Sequence, residues 1–195
     1  MLGSAVRRVW IAAVAGAVAL AAGACGGDDG DEESTNTTTA SSTSAPTTTL
    51  DEETQKEEAA TAVYLAYWDA YLEATAEPVD PRLPAMQQLM TGDHKRVVTR
   101  DLEDRQARGE AARLPTNSQL RHEVLSADLQ PDGSVQITEC EVNDAIIYDV
   151  ANGAVINDEV VAKLATATMV TEGDSWRIAD STVVRRWPGA VECAE

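Results

Sequence analysis

Three cysteines and two histidines are the side chains of this sequence best suited to covalent, metal or proton-transfer chemistry near neutral pH. His94 and His122 do not have the spacing to the cysteines that a zinc site requires, so we expect no metal. The sequence also lacks a P-loop, a dinucleotide-binding glycine fingerprint, a G-x-S-x-G elbow and a zinc-protease helix. These absences exclude the enzymes that depend on those motifs and leave other enzymes open. We expect no cofactor.

The two histidines differ in their local setting. His122 alternates with Leu120 and Val124, so we expect it on the apolar face of a strand. His94 follows Asp93 at a predicted helix start, where we expect it to be exposed. A lone histidine with no identifiable partner is not a catalytic arrangement, so a structural or solvent-facing role for His122 is favoured over a catalytic one.

The N-terminus has the order of an export signal. Arg7 and Arg8 precede an apolar run of 16 residues, 9–24, and an acidic segment follows. A membrane-spanning helix needs about 20 predominantly apolar residues. A cleaved signal peptide over 1–24 is therefore favoured over a permanent membrane helix.

The residues that precede Cys25, Ala22-Gly23-Ala24, resemble the lipobox of bacterial lipoproteins, although Ala22 stands where leucine is most frequent. The resemblance implies that Cys25 carries lipid and that the mature chain is anchored to the extracytoplasmic face of the cell membrane. The alternative is ordinary cleavage after Ala24, which would release a soluble protein.

The composition changes after the signal peptide. Residues 25–50 comprise Cys25 and a linker of acidic, serine and threonine residues that cannot bury enough surface to fold, so we expect a disordered tether before a domain over 51–195. Loss of Arg7 and Arg8 removes two positive charges and moves the net charge from −18 to −20. This charge argues against nucleic acid as a partner and against direct adsorption to anionic headgroups. The lipid would supply the membrane binding.

Two cysteines remain once Cys25 carries lipid. Cys140 and Cys193 would then form a pair in an oxidising compartment, where an even number of cysteines predicts a disulfide. The bridge would join the C-terminal tail to the strand that holds Cys140. The alternative is two buried thiols.

The sequence predicts helices in the first half of the domain. Residues 54–76 lack glycine and proline and place Tyr64, Trp68 and Tyr71 at helical spacing, which predicts a long amphipathic helix. This aromatic stripe is more typical of a core than of a ligand cage. Shorter helices are predicted over 83–90 and from Asp93, as the N-terminal cap, to a C-terminal glycine at position 109.

The second half changes to a strand period. Apolar residues alternate over 120–129 and again at Val135 and Ile137, which predicts a hairpin. A third strand is predicted over 145–148, and a closing hairpin over 160–170 and 176–184. Helices followed by an antiparallel meander define an α+β domain.

Several segments carry a family resemblance. The first helix AVYLAYWDAYLEA, the corner Met90-Thr91-Gly92-Asp93, CEVND from Cys140 and the closing EGDSWRIADSTVV resemble small secreted or lipid-anchored actinobacterial proteins with a nuclear transport factor 2-like domain. The resemblance implies N-terminal helices packed in a curved antiparallel sheet, which forms a cone with Tyr64 and Trp68 along its pocket. It also implies a homodimer through the outer face of the sheet.

Enzymes of that superfamily place an acid or base in the cone against an apolar wall. The candidates that the resemblance implies here are His94, His122, Asp144 and Asp149. The favoured function is a non-catalytic module of the cell envelope that binds a small apolar ligand, an envelope protein or a cell-wall component. The alternative is a cyclase-like or isomerase-like enzyme. A cavity without buried ionisable groups would favour binding, whereas a carboxylate within hydrogen-bond reach of His122 would favour catalysis.

Overall fold

The computed structural model describes residues 51–193. The predicted signal peptide, Cys25 and the linker to residue 50 lie outside the described residues. The first element is helix α1, Glu52–Thr75, close to the predicted range. Asp51 caps it, because the Asp51 carboxylate accepts a hydrogen bond from the Thr54 amide at 2.8 Å.

Two further helices follow. Only one short turn, α2 at Pro84–Gln87, forms within the predicted range 83–90. Helix α3 spans Gly92–Arg108 and ends at Gly109, whose φ of +68° is the left-handed conformation predicted for a C-terminal cap. The prediction of Asp93 as N-cap was wrong. Thr91 takes that position in extended backbone, because its amide is held by the Ile178 carbonyl at 2.9 Å.

The strands form two antiparallel sheets. The larger has the order β2-β3-β6-β7 and the smaller the order β1-β4-β5. The smaller sheet comprises β1 (Glu110–Arg113), β4 (Ile146–Asp149) and β5 (Val155–Asn157). The larger comprises β2 (Arg121–Leu129), β3 (Val135–Asn143), β6 (Val161–Glu172) and β7 (Ser175–Pro188). The predicted hairpins are confirmed, whereas β1 and β5 were missed because each has only three or four residues.

The core lies where α1 meets the larger sheet. Tyr64 and Tyr67 of α1 are buried, as are Ile137 of β3 and Met169 of β6. Each fully buried large apolar side chain stabilises the fold by about 1.5–3 kcal/mol. The aromatic stripe of α1 is therefore divided, since Tyr64 and Tyr67 enter the core while Trp68 and Tyr71 pack at its edge.

The predicted disulfide is confirmed. The Sγ atoms of Cys140 and Cys193 are 2.11 Å apart, and the bridge spans 53 positions of sequence. It joins the C-terminal tail to β3, a central strand of the larger sheet.

The coarse fold class is also confirmed, because helices precede two antiparallel sheets in one α+β arrangement. Within residues 51–193, none of the helices combines the length and the apolar character needed to cross a bilayer.

Candidate functional site

The site begins with the alternation of side chains along β3. Residues 135, 137, 139, 141 and 143 share one face of this strand, since successive side chains of a strand point to opposite sides. Val135 and Ile137 enter the core, whereas the next positions on the same face are Glu139 and Glu141. These two glutamates are 1% and 3% exposed, so each must be paired to be tolerated.

Glu139 contacts the histidine singled out by the sequence. The Nδ1 atom of His122 lies 3.2 Å from Oε2 of Glu139, and the His122 side chain is 11% exposed. In the sheet register His122 is opposite Glu141, so its contact with Glu139 is the diagonal one, two residues along β3. When the neutral imidazole donates from Nδ1 to the carboxylate, its Nε2 atom keeps a free lone pair.

Tyr64 holds the other oxygen of the same carboxylate. Its hydroxyl donates to Oε1 of Glu139 across 75 positions of sequence. Burial, followed by the adjacent negative charge of Glu139, raises the pKa of Tyr64 far above its ordinary value. Tyr64 therefore stays protonated and acts as a permanent donor to Glu139.

Trp68 fixes the ring plane of His122. The two rings are stacked, with centroids 4.2 Å apart and an interplanar angle of 14°. Trp68 lies one helical turn after Tyr64 on α1, and the two aromatic rings meet edge to face at 6.2 Å. One face of α1 therefore supplies both the hydroxyl that holds Glu139 and the indole that covers His122.

Glu141 has a separate set of partners. Nζ of Lys163 lies 3.0 Å from both Glu141 oxygens, and the Asn143 amide donates to Oε1 at 2.7 Å. The pair is largely withdrawn from solvent, because the Lys163 side chain is 16% exposed and the Glu141 side chain 4%. Loss of either partner would leave an uncompensated buried charge.

One residue from each strand of the larger sheet forms a row of ionisable side chains on this face. His122 of β2 is opposite Glu141, which is opposite Lys163, which is opposite Arg186 of β7. We call these four residues the cross-sheet row. Directly opposite residues on neighbouring antiparallel strands share one face, so the row places three basic groups and one carboxylate side by side.

Three members of the cross-sheet row, His122, Lys163 and Arg186, line a cavity of about 270 Å³. Its wall combines aromatic and apolar side chains from α1 and the smaller sheet with polar groups from the larger sheet. The lining residues are Trp68, Tyr71, Leu72, Thr75, Arg105, Ala112, Leu120, His122, Asn143, Ala145, Ile147, Asn157, Glu159, Val161, Lys163 and Arg186.

The residues predicted from sequence are distributed unevenly around this cavity. Trp68 and His122 line it, whereas Tyr64 is not among the lining residues and lies beneath, against Glu139. The prediction that His94 is exposed was wrong, because it is half-buried with its ring 5.3 Å from that of Tyr67. Burial lowers the pKa of His94, and the charge of Asp180 opposes this effect.

The two predicted aspartates serve local structure. Asp144 is 4% exposed and accepts hydrogen bonds from the Ser118 hydroxyl at 2.7 Å and from the Gln119 amide, which fixes the segment before β2. Asp149 accepts from the Ala151 amide at 2.8 Å in the turn after β4. Neither aspartate is among the residues that line the cavity.

The sequence reasoning missed Glu139, Glu141, Lys163 and Arg186. A signal for the glutamates was present, because Glu139 and Glu141 continue the alternation begun by Val135 and Ile137 and so had to face the helix layer. No comparable signal links Lys163 to Arg186, since their meeting depends on strand pairing. Within the described residues, no cluster of three His, Cys, Asp or Glu side chains could hold a metal ion.

The fold and cavity define an α+β protein with a polar, partly aromatic cavity. Its structure is similar to the intermembrane space region of the chloroplast protein ARC6, with a TM-score of 0.54 and 14% sequence identity. The similarity covers 65% of this chain and 95% of that chain, and at this identity it concerns the fold alone. No protein-family model and no curated protein sequence matches the chain.

Proposed function

We propose that this chain is a lipid-anchored module of the extracytoplasmic membrane face whose domain, of the nuclear transport factor 2-like class, binds a small molecule in the cavity beside His122. The N-terminal residues support the membrane location, since a basic start, an apolar run and Ala22-Gly23-Ala24 precede Cys25. The order of three helices followed by antiparallel strands, with the larger sheet packed on α1, supports the class, although the strands form two sheets and not the single meander expected from sequence.

The observation that carries the binding proposal is the fixed imidazole at the cavity wall. The Glu139 carboxylate and the Trp68 ring hold His122 in one orientation, so the ring loses little conformational freedom when a ligand arrives. Aromatic and apolar surface from Trp68 and Ile147 adds area that a ligand can bury. The charged groups of the cross-sheet row favour a polar ligand over the purely apolar one expected from sequence.

A second candidate function is acid–base catalysis on a small substrate. It is favoured by the 3.2 Å contact between His122 and Glu139, the arrangement that orients a histidine base. In this function Nε2 of His122 would take a proton from the substrate, and Glu139 would stabilise the imidazolium. Glu139 is then a positioning residue, because it acts through His122.

The anchor is tested with the full chain in a bacterium that lipidates exported proteins. We expect the wild-type chain to enter the detergent phase on phase partition, with a mass that includes diacylglycerol and acyl groups on Cys25. The variant Cys25→Ser should enter the aqueous phase. A wild-type chain that is cleaved but carries no lipid would overturn the anchor and leave the cavity proposal to its own test.

The binding proposal is tested by native mass spectrometry of the full chain, before and after denaturation. We expect excess mass that is lost on denaturation, and we expect His122→Ala and Trp68→Ala to lose it. Leu125→Ala is the matched control, because Leu125 lies on β2 with His122 but is exposed and absent from the cavity wall. Turnover of the released compound by wild type and not by His122→Ala would favour the enzyme.

A further inference from the structure

The cavity wall has a charge opposite to that of the whole chain. The chain has a formal net charge of −18, with 33 acidic residues against 15 basic ones. The wall nevertheless carries Arg105, Lys163 and Arg186 with a single carboxylate, that of Glu159. A chain this acidic would place carboxylates there if charge were distributed evenly, so the basic wall requires an explanation.

Strand pairing places two of the basic residues of the cavity wall next to each other. Lys163 and Arg186 are direct partners in the β6–β7 register and share a face. Like charges directly opposite each other on neighbouring strands destabilise a sheet. Glu141 balances Lys163 through two contacts of 3.0 Å, but this carboxylate is thereby occupied.

Arg186 has no such compensation. Across residues 51–193 it makes neither a hydrogen bond nor an ion pair with another side chain, whereas Nε of Arg105 donates to Asp101 at 2.9 Å. Arg186 is an exposed residue, so its guanidinium is hydrated when no ligand is bound and offers its five donors at the cavity wall. The planar fork of a guanidinium matches the two oxygens of a carboxylate, which it binds through two parallel hydrogen bonds.

The remaining wall sets the shape of the ligand. Trp68, Tyr71 and Ile147 present aromatic and apolar surface, and the stacked rings of Trp68 and His122 both line the cavity. A volume of 270 Å³ corresponds to roughly nine water molecules at their share of liquid volume. This space fits a small ring with one substituent.

We propose that the cavity binds small aromatic carboxylic acids, with the ring against the Trp68–His122 pair and the carboxylate paired with Arg186. This inference rests on the proposed ligand-binding function and specifies its ligand class. A cationic ligand would meet the unpaired guanidinium of Arg186, because Lys163 and Arg105 are already paired with carboxylates. A neutral ligand would leave that guanidinium without a charged partner.

The experiment uses the full chain in detergent micelles and three probes of one size, namely benzoate, benzamide and benzylamine. Binding is followed through the imidazole resonances of His122 and His94, the two histidines of the sequence. Arg186→Gln is the test variant. Arg185→Gln is its matched control, because this substitution removes the same charge one residue away. Arg185 stacks over Trp187 at 5.3 Å and lies outside the cavity wall.

We expect benzoate to shift the His122 resonances at concentrations about five- to tenfold lower than those that benzamide requires. This ratio is the gain in affinity expected from one partly exposed, charge-assisted hydrogen-bonded pair. Arg186→Gln should abolish that difference, and Arg185→Gln should preserve it. Equal binding of benzoate and benzamide, or a difference that survives in Arg186→Gln, would overturn the carboxylate inference and leave the cavity as a binding site. No shift of His122 with any probe would overturn both the inference and the proposed use of the cavity.

Discussion

Nδ1 of His122 lies 3.2 Å from Oε2 of Glu139, on the neighbouring strand and 17 positions away in sequence. This contact changes how His122 is interpreted, because a histidine that lacks a partner in sequence has a buried carboxylate partner in the fold. The carboxylate is in turn held by Tyr64 from α1. The three residues link helix, central strand and edge strand, and of the three His122 lines the cavity. This arrangement leads to the first two predictions.

The Glu139 contact selects one tautomer of His122. We expect the neutral ring of His122 to carry its proton on Nδ1, since that nitrogen faces the carboxylate. Long-range ¹⁵N–¹H spectra distinguish the two tautomers directly. In Glu139→Gln the preference should weaken while the His94 signals stay in place, and a wild-type ring protonated on Nε2 would contradict the assignment.

The Tyr64 hydroxyl stabilises the fold through Glu139. Tyr64→Phe removes one of the two partners of a buried carboxylate, so we expect the free energy of unfolding in urea to fall by about 1–3 kcal/mol. Tyr67→Phe is the matched control, because Tyr67 is a buried residue of the same helix whose hydroxyl makes no hydrogen bond with any described residue. Equal effects of the two substitutions would show that the contact with Glu139 contributes nothing.

Lys163 compensates the charge of Glu141. Lys163→Met should destabilise the domain by about 3 kcal/mol, because it leaves Glu141 buried with only the Asn143 amide as a partner. Lys56→Met breaks the exposed pair with Glu52 and should leave the free energy of unfolding nearly unchanged. Urea denaturation of both variants measures the difference, and similar costs would indicate that Glu141 is solvated in solution.

His94 makes stability depend on pH. Burial lowers its folded-state pKa below the ordinary value of 6.5, so the unfolded chain binds a proton more readily in the range just below that value. Stability contributed by neutral His94 is therefore present above pH 6.5 and is lost as pH falls toward the folded-state pKa. In His94→Gln the slope between pH 7.5 and 5.5 should be smaller. An unchanged slope in urea denaturation would refute this role.

The disulfide holds the C-terminal tail on β3. Because the bridge closes a loop of 53 positions, we expect Cys193→Ser to lower the free energy of unfolding by about 2–4 kcal/mol. Alkylation of the denatured, unreduced wild-type chain should leave Cys140 and Cys193 unmodified, and prior reduction should make both react. Alkylation without reductant would contradict the bridge.

The sequence by itself determined the features that depend on local periodicity and on the even number of cysteines left after Cys25. Helix α1, the hairpins β2–β3 and β6–β7 and the cap at Gly109 follow from helical spacing, alternation and glycine conformation, which act over a few residues. The Cys140–Cys193 pair followed from cysteine parity once one cysteine was assigned to lipid.

Only the tertiary structure decided the chemistry of the cavity. The contact between His122 and Glu139 requires the bulged register of β2 on β3, and Lys163 meets Arg186 through the β6–β7 pairing. The bond from Tyr64 to Glu139 depends on how α1 packs across the sheet, 75 positions away in sequence. The repeat of two residues in a strand, or of about 3.6 in a helix, tells which face of the element a side chain occupies. Its partner on that face is set by long-range packing and strand register. For this reason the sequence identified His122 and Trp68, while their charged neighbours became visible only in the fold.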